Sequence, residues 1–347
     1  MTDVVHAPHS QSPPAMSLDD AKTPTGLQST AELRRRRLIV LALNVVTYVL
    51  MLWAAAAILG TGSWTPVDVV MWLCFAIGTP WTVLGFWNSI IGLWLLHFHA
   101  EPMTEVAPYA PAGDAETPLT IATAVFMTVR NEDPERAIRR LRTVKASVDA
   151  TGQGAAFSYF VLSDTNDDAT GGQEARAVAA WQAQDPDRDR ITYRRRTDNT
   201  GFKAGNVRDF CERWGSGFEL MLPLDADSVM SGPAIVRLVR MMQAHPKIGI
   251  LQSLVVGMPS SSAFARIFQF GMRHGMRSYT MGQSWWVGDC GPFWGHNAVV
   301  RIKPFADSCH LPILPGGPPL GGHVLSHDQV EATLMRRAGY EVRVLPV

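Results

Sequence analysis

Charge is scarce in this sequence. Asp, Glu, Lys and Arg together make up 18% of its 347 residues, against about a quarter in an ordinary soluble domain. The shortage is local. It falls on two long runs near the N-terminus, which points to a membrane region and not to an unusually apolar core throughout. No sign of charge dominates, because 31 basic residues balance 31 acidic ones. That balance gives no support to a nucleic-acid partner, which requires clustered positive charge. Cysteine is sparse too: Cys74, Cys211, Cys290 and Cys309, none in a CxxC pair. Neither a zinc site nor a disulfide framework is implied. There is no repeat of solenoid period.

The first residues, Met1 to about Ser29, are rich in Pro, Ser, Thr and Asp. Such a segment buries too little apolar surface to offset its ordering entropy, so residues 1–33 are expected to be a disordered tail. They lack the charged start and short apolar core of a signal peptide. Arg34, Arg35, Arg36 and Arg37 follow, and then Leu38 to Gly60 without a charge. A second uncharged run extends from Val69 to Leu96, with Pro80 expected to kink it. Each run exceeds the roughly 20 residues that cross a bilayer as a helix. Residues 34–100 are therefore expected to form a transmembrane hairpin with spans near 38–60 and 69–96; a pair of buried soluble helices is the alternative. The arginines should keep the start cytoplasmic. An even number of spans returns the rest of the chain to that side.

Residues 101–118 read as a Pro/Ala-rich linker, and 119–347 as one domain of alternating elements. Strands are expected at Thr120–Met127, Phe157–Leu162, Ile191–Arg194, Glu219–Leu224 and Ile248–Gln252. Helices are expected at Pro134–Ala150, Gln173–Gln184, Lys203–Trp214, Pro233–Ala244 and Gln329–Ala338. That alternation predicts an α/β, Rossmann-like, mostly parallel sheet with helices on both faces. The Phe264, Ile267, Phe268, Met272, Met276 series has helical spacing and suits a core or membrane-interface helix.

In open α/β sheets ligands bind beyond the carboxyl ends of the strands. Three polar clusters lie at such ends: Thr128 to Asp133, Ser163-Asp164-Thr165, and Asp225-Ala226-Asp227. Two carboxylates one residue apart can hold a hard cation such as Mg²⁺, which takes one or two carboxylates plus phosphate oxygens. An isolated DxD is as readily a solvated turn. Upstream, Lys203-Ala204-Gly205-Asn206 offers a point charge to a diphosphate and a glycine for close approach. Alone, that lysine is a surface residue. Downstream, Phe293-Trp294-Gly295-His296-Asn297 is an aromatic stretch that suits a sugar ring. Asp328 opens a helix, as a plain cap or as a general base near an acceptor. Arg194-Arg195-Arg196 reads as a solvated face. His310, His323 and His327 match no common metal-ligand spacing.

The ordered set Asp164, Lys203-Ala204-Gly205-Asn206, Asp225-Ala226-Asp227 and Asp328 resembles the family 2 glycosyltransferases, the processive synthases related to cellulose and hyaluronan synthase. The stretches HPKIGILQS, FWGHNAVVRIKPF and GGHVLSHDQVEATLMRRAGYEV resemble the proteobacterial branch that builds the backbone of osmoregulated periplasmic glucans. The resemblance implies a GT-A fold, UDP-glucose as donor, a divalent cation (Mg²⁺ or Mn²⁺), and inversion to a β-linked, β-1,2 glucan. It implies that Asp164 meets the uridine with Thr128 and Glu132 beside it, and that Lys203 and Asp225 meet the diphosphate. Asp225 and Asp227 hold the metal, Asp328 is the general base, and Trp294, Gly295, His296 and Asn297 line the acceptor. It also implies an inner-membrane location, a growing glucan and the lipid bilayer as partners, and possible periplasmic glucan-processing proteins.

Two departures stand out. Thr-Val-Arg-Asn-Glu replaces a first motif that carries Pro and Tyr in many relatives. No Gln-x-x-Arg-Trp motif occurs before Val347, nor do export helices, so the domain is expected to be truncated at its C-terminus. The alternatives within reach are another β-glycan synthase, cellulose-like, and a catalytically silent UDP-glucose-binding membrane protein. A metal-dependent phosphatase built on the DAD finds no support in the KAGN stretch.

Overall fold

The computed structural model describes residues 27–317 and 321–346. The expected disordered tail therefore falls mostly outside the described residues. Its described end is ordered: Ser29 caps a helix that begins at Thr30. By compactness the chain divides into two units. One comprises Tyr109–Ser253 and Asp289–Arg343; the other holds the described parts of Pro24–Pro108, Leu254–Gly288 and Val344–Val347.

The second unit is built on two long helices, α1 (Thr30–Leu59) and α2 (Pro66–Phe98). Both are long and apolar enough to cross a membrane, and few of their residues are buried by protein. Pro80 lies inside α2 and cannot donate to the carbonyl of Ala76 four residues earlier. That carbonyl instead accepts a hydrogen bond of 2.9 Å from the Tyr48 hydroxyl of α1. Between residues 101 and 118, where the sequence suggests a linker, lie two short helices, α3 (Pro102–Val106) and α4 (Pro111–Asp114).

The first unit is an α/β sandwich. Its elements run β1 (Thr123–Val129), α5 (Pro134–Asp149), β2 (Phe157–Ser163), α6 (Asp168–Gln184), β3 (Ile191–Arg195), α7 (Phe202–Trp214), β4 (Leu220–Asp225), α8 (Gly232–Ala244) and β5 (Ile248–Ser253). After α9 (Ala263–Val287), which belongs to the other unit, come β6 (Ala298–Arg301), α10 (Ile302–Ser308), a small hairpin of β7 (Ile313–Leu314) and β8 (Gly322–His323), α11 (Asp328–Arg337) and β9 (Glu341–Leu345).

The seven-stranded sheet has the order β3-β2-β1-β4-β6-β5-β9. Strands β1 to β4 pair in parallel, while β6 runs antiparallel to both β4 and β5. β1 is covered on both faces, which is why it reads as a continuous apolar run and not an alternation. The antiparallel β6 has no counterpart among the expected strands. Pro223 bears on where β6 diverges. Its carbonyl accepts from Asn297 N at 2.9 Å, so the side of Pro223 that lacks an N–H also faces β6. The β4–β6 pairing covers only Leu220↔Arg301 and Met221↔Val300, as expected where a proline removes a ladder bond.

α9 packs on α2 in the second unit. Gly92 and Gly282 allow their backbones to meet: a Cβ at Gly282 would lie 1.9 Å from the Asn88 carbonyl oxygen. Asn88, fully buried, accepts from Trp286 Nε1 at 2.9 Å. The arginine run takes part here as well. Arg36 donates to the carbonyl of Trp285 at 3.1 Å and Arg37 to that of Val287 at 2.8 Å, so both cap the C-terminus of α9, where a cation offsets the helix dipole.

Candidate functional site

The site follows from the strand order. β1 and β4 are neighbours, and the chain moves outward from them in opposite directions, so their carboxyl ends flank a switch point where the following loops part. In register, Thr128 of β1 stands beside Asp225 of β4. The crevice there has a volume of about 380 Å³. Thr128, Glu132, Asp164, Lys203, Asp225 and Asp227 all line it, together with Arg130, Phe202 and Asn206. Six residues named from sequence are thus brought to one cavity from four separate segments.

Lys203 reaches the crevice because α7 is anchored from behind. Phe210 is fully buried between Phe126 and Phe160, with ring centroids 4.8 and 5.1 Å away. Burying such a ring contributes about 1.5–3 kcal/mol. Asn206, one turn nearer the crevice, is buried and donates to the Leu162 carbonyl at 3.1 Å. Gly201, the residue that caps α7, has φ +76°, and a Cβ at Gly205 would lie 2.0 Å from the Thr200 carbonyl oxygen. The glycine of the Lys-Ala-Gly-Asn stretch therefore serves a backbone contact that places Lys203. The Lys203 ammonium forms an ion pair with Asp225. His296 Nε2 approaches the other carboxylate oxygen of Asp225 at 3.8 Å.

Asp164 sits just past β2 and is buried. Arg196 grips it with both arms, Nε to Oδ1 at 2.7 Å and the terminal nitrogen to Oδ2 at 2.6 Å. The same guanidinium donates to the carbonyls of Thr200 and Phe202. Asn199 Nδ2 also donates to the Asp164 carbonyl at 2.6 Å. Asp164 thus holds the loop that delivers Lys203. The expectation of a solvated arginine face does not survive. Arg194 is buried against Asp209 at 2.9 Å, and burial lowers its guanidinium to about 10. Arg195 is the most accessible of the three, and it too is held, by the Thr165 carbonyl at 2.7 Å and by Asp168 at 2.8 Å.

The aromatic stretch joins the crevice from the β6 side. Gly295 has φ +75°; a Cβ there would lie 3.5 Å from Asp328 Cβ and 3.8 Å from both Lys203 Nζ and His327 Cε1. Gly295 is therefore the point where the lysine and the start of α11 converge. Trp294 is tied through its N–H to Gln252 Oε1 at 2.9 Å. Asn297 is buried, with its side-chain oxygen 2.8 Å from His296 Nδ1, so it sits behind His296. Asp328 is half-buried at the first turn of α11, where its Oδ1 accepts from Gln329 N at 3.0 Å. Gln329 Nε2 in turn donates to the Phe293 carbonyl at 2.8 Å, linking that turn to the aromatic stretch.

Sequence reasoning assigned no role to Arg130 or Phe202. Phe202 stands at φ +52°, and its ring is met by the Arg130 guanidinium at 5.8 Å and by His323 edge-on at 6.2 Å. Among the described residues, three non-glycine residues have positive φ: Asn131, Phe202 and Asn297. Phe202 lines the crevice, Asn131 lies between its lining residues Arg130 and Glu132, and Asn297 follows His296, which approaches Asp225. Such conformations cost about 1–3 kcal/mol each and cluster at functional sites. A signal was present for Phe202, an aromatic residue wedged after Gly201, but its strain is a property of the folded loop.

Among the described residues no group of three or more His, Cys, Asp or Glu side chains is gathered to hold a metal ion. Asp225 and Asp227 remain a two-carboxylate set opening on the crevice. That set fits a cation whose coordination is completed by phosphate oxygens and water.

The family model described as glycosyl transferase family 2 matches residues 124–308. Three relatives are proteins named glucans biosynthesis glucosyltransferase H. That of Vibrio cholerae serotype O1 is 37% identical over 309 residues, 89% of this chain and 42% of its own length. That of Xylella fastidiosa is 37% identical over 335 residues, covering 96% and 52%. That of Shewanella oneidensis is 38% identical over 317 residues, covering 91% and 42%. The chain spans about half the length of these curated relatives. Among solved structures, a Pyrobaculum calidifontis mannosyltransferase in complex with GDP-Man and Mn²⁺ aligns at TM-score 0.42 and 16% identity, over 74% of this chain and 66% of that one. With the family model matched across more than half of its length, the chain belongs to glycosyl transferase family 2.

Proposed function

We propose that this protein is a membrane-bound, inverting glucosyltransferase that takes glucose from UDP-glucose and adds it to a growing β-glucan, the β-1,2 backbone of osmoregulated periplasmic glucans. The observation that carries this reading is the meeting of Asp164, Lys203, Asp225 and Asp227 in one crevice at the switch point, with Asp328 across Gly295. A diphosphate needs fixed positive charge, and Lys203 supplies it once a bound donor competes for its pairing with Asp225. Asp164, Thr128 and Glu132 form the side of the crevice for the uridine. Trp294, Gly295 and His296 face the acceptor, and Asn297 supports His296 from behind.

Asp225 and Asp227 would hold Mg²⁺ or Mn²⁺, which when bound offsets the charge of the departing diphosphate. Asp328 accepts the proton of the acceptor hydroxyl as its oxygen attacks the anomeric carbon. The carbon–oxygen bond to UDP breaks on the opposite face, giving inversion. The two apolar helices, residues 34–100, anchor the enzyme in the inner membrane with the four arginines and the catalytic domain, residues 119–347, on the cytoplasmic side. That side holds the nucleotide sugar. Periplasmic glucan-processing proteins would then act on the exported product.

The test is calorimetric titration of UDP into the detergent-solubilised protein with Mg²⁺ and with EDTA, followed by glucose transfer in membranes. Binding should vanish with EDTA and with Asp227→Ala. Asp328→Asn should keep UDP binding and abolish transfer, because only the transition state requires the proton acceptor. UDP binding indifferent to both EDTA and Asp227→Ala would refute the donor site, and transfer by Asp328→Asn would refute the base.

A further inference from the structure

The residue before Asp328 is placed in an unusual way. His327 stands at the position that caps α11, yet its side chain makes no cap bond to the helix. Its imidazole turns inward and is buried, with Nδ1 2.9 Å from Glu331 Oε2 one helical turn on. Glu331 is buried in turn, among the apolar residues of the core on which α11 packs. Its carbonyl accepts from Cys309 Sγ at 3.4 Å. Burial pushes the Glu331 carboxyl up, against the downward pull of the His327 hydrogen bond.

A lone carboxylate at such a position costs several kcal/mol, and an apolar residue would pack there without that cost. The pair faces the site: Cε1 of the imidazole lies on the side of Gly295, beside Asp328. The first turn of α11 is thereby tied down twice. Gln329 holds it to the Phe293 carbonyl, and the His327–Glu331 bond, running from the cap to the next turn of the same helix, clamps it to a turn that is buried in the core and bonded by Cys309.

We infer that His327 and Glu331 are positioning residues for Asp328: the buried hydrogen bond fixes the peptide that carries the base, and so sets where its carboxylate stands relative to the acceptor hydroxyl. The inference rests on Asp328 being the base. Neither side chain lines the donor crevice, and Glu331 meets Lys203 only as a charge at a distance, so loss of the pair should act on the proton-transfer geometry, and the uncharged exchanges at His327 should leave donor affinity alone. A misplacement of about 1 Å at a reacting group costs on the order of a hundredfold in rate.

The experiment measures glucose transfer from UDP-glucose by the full-length membrane-embedded enzyme. It compares the parent, Asp328→Asn, Glu331→Ala, Glu331→Gln, His327→Ala, His327→Asn and His327→Gln. Both alanine variants should lower kcat by roughly ten- to a hundredfold, His327→Ala with KM for UDP-glucose unchanged. Glu331→Gln, which keeps an acceptor oxygen, should recover most of the rate. His327→Asn, whose amide nitrogen falls near the place of Nδ1, should exceed His327→Gln; that comparison decides the matter if the alanine variants fail to fold. A pair that serves only to stabilise α11 would lower the unfolding temperature and leave kcat and the rescue pattern unchanged, which overturns the inference. A KM for donor that rises with the fall in kcat in the His327 variants overturns it too. A parent that transfers no glucose, or an Asp328→Asn that still does, removes the functional reading and this inference together. If Asp328→Asn is dead and the folded alanine variants keep their kcat, the inference alone fails.

Discussion

Replacing Arg196 by Met tests whether Asp164 is a structural anchor for the loop that carries Lys203. The two side chains are 7% and 5% exposed and share two hydrogen bonds, so the small values of surface pairs, about 0–1 kcal/mol, do not apply. Removing one partner of a buried pair leaves an uncompensated charge and costs about 3–5 kcal/mol. At roughly 2–4 °C per kcal/mol for a unit of this size, Arg196→Met should lower the unfolding temperature by about 6–20 °C. Met retains most of the apolar stem, so lost packing contributes little. Asp164→Asn in the same background should restore a large part of the loss, because no charge is then stranded. The assay is thermal unfolding of the detergent-solubilised protein, with the two single variants and the double forming a cycle. A loss below about 1 kcal/mol would show that the pair behaves as a solvated one. Single losses that simply add in the double would show no coupling. Either result refutes the reasoning.

Gly205→Ala should weaken UDP binding at least tenfold in calorimetry. Alanine gains about 1 kcal/mol over glycine in a helix, but its Cβ would fall 2.0 Å from the Thr200 carbonyl oxygen, and overpacking of this kind costs about 1–3 kcal/mol; the start of α7 and Lys203 must move. Gly282→Val should lower the unfolding temperature by a similar mechanism, since the side chain meets the Asn88 backbone, and should leave UDP affinity unchanged. An unaltered unfolding temperature would contradict the close contact between α2 and α9.

Much of this architecture was legible from local signals. The two charge-free runs specify long apolar helices by length and composition alone, because each residue's partition into water or an apolar phase is its own property. The parallel strands announced themselves as short, fully apolar runs ending in polar clusters. Those ends named Thr128, Asp164, Asp225 and Asp227 before any geometry. Ordered spacing then supplied Lys203 and Asp328 through the family resemblance.

What only the tertiary structure decided involves partners distant in the chain. β6 pairs with β4 and β5 across an intervening helix of the other unit, and four residues with a proline opposite them carry too little period to declare an antiparallel strand. The arginines 194 to 196 look alike in sequence, yet Arg194 is buried on Asp209, Arg196 grips Asp164, and Arg195 is the most accessible of the three. Arg36 and Arg37 cap a helix about 250 residues on. The strained Phe202 and the buried His327–Glu331 pair likewise exist only once their loops are closed. Sequence alone thus determined which segments are apolar, which are regular and which chemistry the strand ends carry. Which charge meets which was left to folding, because an ion pair or a hydrogen bond depends on distances of a few ångströms that chain order does not contain.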